Sequence, residues 1–173
     1  MIRAFNNILP NIHDTAYIDE ASAVIGDVTI AQDCSVWPMV SIRGDVHKIT
    51  IGERTNIQDG SVLHVTADNS FHPDGFPLTI GHDVTVGHGA IVHACTIGNF
   101  TLIGMGAIVL DGAIIEDEVM LGAGSLVSPG KVLESGYLYL GSPAKKARPL
   151  SDKEREYLHF SSQHYVNLKN KYM

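Results

Sequence analysis

Residues 97–133, IGNFTLIGMGAIVLDGAIIEDEVMLGAGSLVSPGKVL, decide the fold because they repeat every six residues. Each sixth position carries a branched aliphatic residue, and the position four residues later is small in nearly every repeat. A large aliphatic residue alternating with a small one at this period is typical of a parallel β-helix. The aliphatic series in this stretch is Ile97, Ile103, Val109, Ile115, Leu121, Val127 and Leu133.

The same period extends toward the N-terminus through three further segments. Aliphatic residues recur at every sixth position from Ile12 to Ile42, from Ile51 to Leu63 and from Ile80 to Val92. Three hexapeptides form one triangular coil, in which the aliphatic side chains fill the axis and the small residues leave room at the turns. We therefore expect an all-β fold, with a parallel β-helix domain over residues 1–147.

Two segments lack the six-residue period. Residues 67–78, ADNSFHPDGFPL, are rich in turn-forming residues and are expected to form a loop insertion. Residues 148–173 contain Ser151 and Glu154 at the spacing of a capping box, in which each side chain binds a free backbone N–H of a helix. Apolar residues then recur at helical spacing, which predicts a C-terminal α-helix packed on the β-helix. The residues expected on its apolar face are Leu158, Tyr165, Leu168 and Tyr172.

The composition argues against several classes of function. The 173-residue chain carries 12 basic and 19 acidic residues, and a formal net charge of −7 offers no basic surface for nucleic acid. No apolar run approaches the ~18 residues of a membrane-spanning helix, and the N-terminus lacks the pattern of a signal peptide. The two cysteines, Cys34 and Cys95, form no CxxC pair, so the expected location is a reducing cytoplasm.

The repeat assigns polar residues to faces of the triangular coil. Leu63 and Val92 are separated by one coil plus the loop insertion, so they share one face, called face A. Because alternate residues of a strand point to opposite sides, Arg43, His64 and His93 are expected to stack on the outer surface of face A. His64 and His93 should then lie one strand spacing apart, about 5 Å, which suits two ligands of one metal ion.

A catalytic metal site needs a third ligand, and His88 is the candidate. With Gln58 it lies on or beside the preceding face of the triangle, called face C, around a corner from the histidine pair. A second copy of the chain could supply its His88 if its face C packed on face A. Repetition of this contact around a ring gives a homotrimer with three shared sites. The remaining histidines are expected in surface or loop positions: His13, His47, His72, His82, His159 and His164.

Three histidine ligands indicate a zinc-type site. Three neutral imidazoles with an open fourth position are a ligand set of catalytic zinc. Because imidazoles leave the charge of the ion uncompensated, water bound there can ionise near pH ~7. Imidazole also suits Co²⁺ and Fe²⁺, so the expected cofactor is Zn²⁺, with Co²⁺ or Fe²⁺ as alternatives.

These polar residues lie in three motifs: IRGDV (42–46), NIQDGSVLH (56–64) and VGHGAIVHACTIG (86–98). The motifs closely resemble those of the gamma-class carbonic anhydrases and their bacterial YrdA-type relatives, and the likeness covers nearly the whole chain. The resemblance implies a left-handed β-helix, a homotrimer, and a zinc-type ion held by His64 and His93 of one subunit and His88 of its neighbour. The implied activity is the reversible hydration of CO₂ to bicarbonate.

The resemblance also implies roles for residues around the metal. Arg43 and Asp45 would pair and hold the subunit interface. Gln58 would orient the water that the metal activates. Asn56 or Tyr165 would polarise the substrate pocket.

Two positions depart from the best-studied members of that family. Val46 and Ala67 stand where those proteins carry glutamates, and the glutamate at the second position is thought to shuttle protons. Without a shuttle, water alone must remove the proton, which would slow turnover. His72 or Tyr165 could take its place.

Two other functions fit the sequence. Hexapeptide β-helices also include acyl-CoA transferases, and residues 140–145, LGSPAK, resemble a segment common among them, although Gly141 and Pro143 also suit the end of a strand. A related activity is metal-dependent hydrolysis of small thioesters. The other alternative is a non-catalytic metal-binding trimer. Metal content measured together with CO₂ hydration distinguishes these functions.

Overall fold

A computed structural model describes residues 1–173. It is a parallel β-solenoid of short strands followed by one helix, which confirms the predicted fold class. The strands in chain order are β1 (Ile2–Arg3), β2 (Asn11–Ile12), β3 (Tyr17–Ile18), β4 (Ala23–Ile30), β5 (Ser35–Val36), β6 (Ser41–Ile51), β7 (Asn56–Ile57), β8 (Val62–His64), β9 (Leu78–Ile80), β10 (Thr85–Val86), β11 (Ile91–His93), β12 (Thr96–Ile97), β13 (Leu102–Ile103), β14 (Ile108–Val109), β15 (Ile114–Ile115), β16 (Met120–Leu121), β17 (Leu126–Val127), β18 (Val132–Leu133), β19 (Tyr137–Leu140) and β20 (Lys145–Pro149), and the helix is α1 (Asp152–Lys169).

The strands stack into the three faces of a triangle. Face A contains β8, β11, β14 and β17, and face C contains β7, β10, β13 and β16. The third face, face B, contains β9, β12, β15 and β18. Strand β6 belongs to two faces, because its first residues pair with β8 and its last residues pair with β9. The three-residue slip in the period between Ile42 and Ile51 lies inside this strand.

The aliphatic series fills the axis of the solenoid, as predicted. On face A, Leu63 pairs with Val92, and Val92 pairs with Val109. All three side chains are fully buried. Burial of each such side chain is worth roughly 1.5–3 kcal/mol, so the repeated stack stabilises every coil against its neighbours.

The loop insertion and the C-terminal strand have slightly different bounds from those predicted. Thr66 and Phe76 close the loop, since the backbone N–H of each donates to the carbonyl oxygen of the other (3.1 and 3.0 Å). Strand β9 begins at Leu78, so Leu78 belongs to the sheet rather than to the loop. Strand β20 pairs antiparallel with β19, so β-structure continues past the predicted boundary at residue 147 and ends at Pro149.

Helix α1 begins with the predicted capping box. The Ser151 hydroxyl accepts a hydrogen bond from the Glu154 backbone N–H (3.3 Å), and the Glu154 carboxylate accepts one from the Ser151 backbone N–H (2.8 Å). Leu158 and Ser161 are buried where the helix packs along face C. Tyr172 lies past the end of the helix, so its predicted helical position is wrong. The helix is neither long nor apolar enough to cross a membrane.

Candidate metal centre

Two histidines lie side by side on the outer surface of face A. The pairing of β8 with β11 places His64 directly opposite His93, next to the inward pair of Leu63 and Val92. The imidazole centroids are 5.2 Å apart, and His64 Nδ1 lies 3.1 Å from His93 Nε2. The predicted stacking of His64 on His93 is therefore confirmed.

The nitrogen on the far side of each imidazole contacts a carboxylate. His64 Nε2 lies 3.1 Å from Asp45 Oδ1, and His93 Nδ1 lies 2.6 Å from Asp111 Oδ1. Since an ionised carboxylate only accepts, these far nitrogens carry the protons and the two facing nitrogens carry lone pairs. A carboxylate behind each histidine is the usual arrangement around protein-bound zinc, where it fixes the ring and raises the basicity of the ligand.

Burial keeps the His64 imidazole neutral, against the effect of the Asp45 carboxylate behind it. The Arg43 guanidinium pairs with Asp45 (2.7 Å). Burial acts to raise the pKa of Asp45, but hydrogen bonds from Arg43 and His64 outweigh it and hold that pKa below its usual value. Burial lowers the pKa of His64, and the opposing effect of Asp45 does not cancel it. The neutral form, which binds metals, is therefore favoured at His64.

His88 lies apart from the pair, at the corner between β10 and β11. The backbone turns there at Gly89 with φ +65°, a conformation that favours glycine. The equivalent corner of the preceding coil carries Asp59 and Gly60, and His88 Nδ1 lies 3.0 Å from Asp59 Oδ2. About half of the His88 side chain is exposed. In a single chain, no three histidine, cysteine, aspartate or glutamate side chains are arranged to hold a metal ion.

A buried chain of hydrogen bonds orients Gln58 beside this corner. Gln58 Nε2 donates to Asn56 Oδ1 (3.1 Å), and Asn56 Nδ2 donates to Thr85 Oγ1 (3.0 Å). The Thr85 hydroxyl continues the chain to Ser161 of α1 (2.8 Å). Because the Gln58 amide nitrogen is occupied, its Oε1 is the atom free to accept a hydrogen bond. Asn56 is fully buried and does not itself line the cavity.

A cavity of about 410 Å³ opens between face C and α1. Gln58, His88 and Tyr165 line it together with apolar side chains of the following coils. Burial raises the pKa of Tyr165, and Tyr157 and Asp59 add to this, so the phenol is a neutral hydrogen-bond donor.

The predicted site residues therefore form two groups in one chain. His64, His93, Arg43 and Asp45 lie on face A, and Gln58, Asn56, His88 and Tyr165 lie on or beside face C.

Asp111 and Thr66 were not among the predicted site residues. Asp111 follows His93 by 18 residues, the length of one coil. That spacing was the available signal, since residues one coil apart lie on adjoining turns. Val46 and Ala67 are the two positions that depart from the resemblance. They directly follow Asp45 and Thr66 in the sequence, and the Val46 side chain is exposed.

The donor set fits a zinc-type ion. Two lone pairs that face each other 3.1 Å apart repel unless a cation lies between them. Tetrahedral zinc with Zn–N bonds of about 2.0–2.1 Å separates two nitrogens by about 3.4 Å, close to the spacing present. His88 of a second copy would complete a three-imidazole set, and the carboxylates would hold each ring from behind.

Comparisons with known proteins agree with this architecture. Residues 94–129 match the family model of the bacterial transferase hexapeptide with six repeats. The chain is 59% identical to Protein YrdA of Escherichia coli over 173 residues, which cover 100% of this chain and 94% of that protein. It is 40% identical over 159 residues to gamma carbonic anhydrase 2, mitochondrial, of Arabidopsis thaliana, covering 92% of this chain and 57% of the plant protein.

A solved structure of the same architecture is a hexapeptide transferase family protein from Anaplasma phagocytophilum. It superimposes with a TM-score of 0.92 at 41% identity and covers 99% of this chain and 98% of that chain. High identity over nearly the full length of both chains, together with the six-residue repeat, shows common ancestry. The chain belongs to the hexapeptide-repeat family that includes Protein YrdA.

Proposed function

We propose that the protein is a gamma-class carbonic anhydrase-like metalloenzyme that hydrates CO₂ reversibly to bicarbonate. The observation that carries this proposal is the His64–His93 pair, with its two facing nitrogens 3.1 Å apart and a carboxylate behind each ring. The likeness to the plant gamma carbonic anhydrase supports the same reaction.

The proposed site needs a second copy of the chain. His93 and His88 belong to the same coil, so a second copy placed at the same height, with its corner between β10 and β11 against face A, would present its His88 to the pair. Outward apolar residues of face A, such as Val62 and Ile91, are exposed in one chain. The cavity beside the His88 corner is also lined by apolar residues. Closure of this contact around a ring gives a homotrimer with three sites.

Each residue near the proposed site has a defined task. A zinc-type ion bound there supplies Lewis-acid activation of water. Gln58 Oε1 would accept a hydrogen bond from a water molecule in the site and orient it, because Asn56 holds the amide nitrogen of Gln58. The Tyr165 hydroxyl would donate a hydrogen bond to an oxygen of CO₂ or bicarbonate. Apolar side chains of the cavity admit the uncharged CO₂ molecule.

A stopped-flow assay of CO₂ hydration on zinc-, cobalt- and iron-loaded protein tests the proposal. We expect a rate above that of buffer for the wild type, and the buffer rate with no bound metal for His88→Ala. His13→Gln is the matched control, because His13 is exposed and bonds only to Thr15. Metal-replete wild-type protein with only the buffer rate would contradict the proposal and favour a non-catalytic metal-binding trimer.

A second candidate function is acyl transfer or thioester hydrolysis. The cavity of about 410 Å³ is larger than CO₂ requires, and it lies within the range of pockets for larger small molecules. The matching family model and the solved relative both carry transferase names. Release of CoA from short acyl-CoA thioesters by the metal-free protein, only when an amine or hydroxyl acceptor for the acyl group is added, would favour transfer. Turnover that requires the metal would favour thioester hydrolysis.

A further inference from the structure

We propose that Asp111 is a positioning residue for His93 and that Thr66 holds Asp111 in place. Thr66 thereby links the base of the loop insertion to the proposed metal site. This inference rests on the proposed function, since it assigns His93 as a metal ligand. Neither Asp111 nor Thr66 belongs to the three motifs on which the family resemblance is based.

Both oxygens of the Asp111 carboxylate are engaged. Oδ1 lies 2.6 Å from His93 Nδ1, a length typical of a strong charge-assisted hydrogen bond. Oδ2 accepts a hydrogen bond from the Thr66 hydroxyl. A carboxylate held at both oxygens cannot rotate freely, so the His93 ring is fixed with Nε2 toward His64.

The partner of Asp111 is uncharged, unlike that of Asp45. Asp45 is paired with the Arg43 guanidinium, whereas the side chains bonded to Asp111 are the Thr66 hydroxyl and the His93 imidazole. Asp111 therefore directs more of its negative charge at its histidine than Asp45 does. A more negative partner makes the imidazole a more basic ligand.

Thr66 connects this arrangement to the loop insertion. Its backbone pairs with Phe76, which closes the loop. The Phe76 ring lies beside Gly112, where an added Cβ would be 3.5 Å from the ring edge. The loop base thus packs on the same corner that carries Asp111, and displacement of the loop would displace the hydroxyl that holds the carboxylate.

The test uses Asp111→Ala and Asp111→Asn, together with Thr66→Val and the conservative variant Thr66→Ser. Asp117→Ala is the matched control, since Asp117 occupies another corner and bonds Asn99 rather than a histidine. The first readout is the Zn²⁺ affinity of the full-length protein by chelator competition. The second is ¹⁵N NMR of the metal-free protein, which reports which nitrogen of His93 carries the proton.

We expect Asp111→Ala to weaken Zn²⁺ affinity about 10–100-fold. Asp111→Asn and Thr66→Val should weaken it less. Thr66→Ser and Asp117→Ala should keep the wild-type affinity. In the metal-free wild type, the His93 proton should reside on Nδ1, and Asp111→Ala should convert the ring to a mixture of tautomers. Folded Asp111→Ala and Asp111→Asn proteins with wild-type affinity and an unchanged His93 spectrum would overturn the proposal. A wild type that binds no Zn²⁺ would refute the proposed function, and the His93 spectrum would still decide whether Asp111 positions the ring.

Discussion

At the scale of single residues, the two histidines of face A are held in place from behind. Asp45 and Asp111 accept hydrogen bonds from the far nitrogens of His64 and His93, so the facing nitrogens point at a common position. Rings that are already fixed lose little conformational freedom when they bind an ion. The pair is therefore preorganised for the proposed metal site.

Asn56 shows what the repeat cannot predict about a single residue. The six-residue period identifies which residues point outward but not what covers them. Asn56 points outward on face C, yet it is fully buried, and its neighbour in the hydrogen-bond chain, Thr85, bonds to Ser161 of α1. Its side chain thus contacts Gln58 within the protein.

Ala67 provides a prediction about proton removal. Because no carboxylate stands at this position, we expect CO₂ hydration by the wild type to rise with the concentration of an imidazole buffer, which can accept the proton. Ala67→Glu should raise kcat at low buffer concentration and reduce this dependence. Stopped-flow measurements over a buffer series check both effects.

Ala67→Gln is the control, since it matches the size of glutamate without its basicity. A wild-type rate independent of buffer would contradict the prediction and would indicate that another group, such as His72 or Tyr165, already removes the proton.

At the scale of structural elements, the turns between strands and the capped helix α1 determine where the candidate site residues lie. The six-residue repeat predicted the strands, and the spacing of Ser151 and Glu154 predicted the capping box, because both depend on local spacing. The sequence did not predict that β6 would run without a break from face A to face B or that Tyr172 would lie beyond α1. Those features depend on packing between distant segments, such as the contacts of Tyr172 with Tyr17 and Trp37.

The capping box of α1 predicts a dependence of stability on pH. Hydrogen bonds from Arg148 and Ser151 lower the pKa of Glu154 from 4.5 to about 2. A depressed carboxyl pKa stabilises the folded state fully above pH 4.5, and this contribution is lost as the pH falls toward 2. Ser151→Ala should lower the free energy of unfolding by about 1 kcal/mol at neutral pH.

Urea unfolding at one protein concentration from pH 7 to pH 2 measures both effects. The variant Ser151→Ala/Glu154→Gln should lose less stability between pH 4.5 and pH 2 than the wild type does. Ser70→Ala, in the exposed loop, is the control. Identical pH profiles for the double variant and the wild type would show that the lowered pKa of Glu154 does not contribute to stability.

At the scale of the whole molecule, one chain carries two separate groups of the residues that the proposed site requires. Face A holds the histidine pair, and the corner of face C holds His88 with Gln58 and the cavity. The sequence predicted this division, because the period places His88 on a different side of the triangle from His64 and His93. It did not show that Asp45 and Asp111 lie behind the rings, because the period places residues on adjoining turns but does not fix the direction of their side chains.

Subunit complementation tests the shared site most directly. His88→Ala protein keeps the pair on face A, and His93→Ala protein keeps His88. Neither variant alone should bind Zn²⁺ at the site. When the two are unfolded, mixed in equal amounts and refolded, random ring closure should restore about a quarter of the sites, because each restored interface needs one subunit of each kind in the right order.

The measurement is the amount of Zn²⁺ bound per chain after removal of loosely held metal. The shared-site account predicts that the mixture binds about a quarter of the wild-type amount, while each variant alone binds almost none. A mixture that binds no more Zn²⁺ than the separate variants, with wild-type protein refolded in parallel recovering its metal, would contradict a site built between subunits.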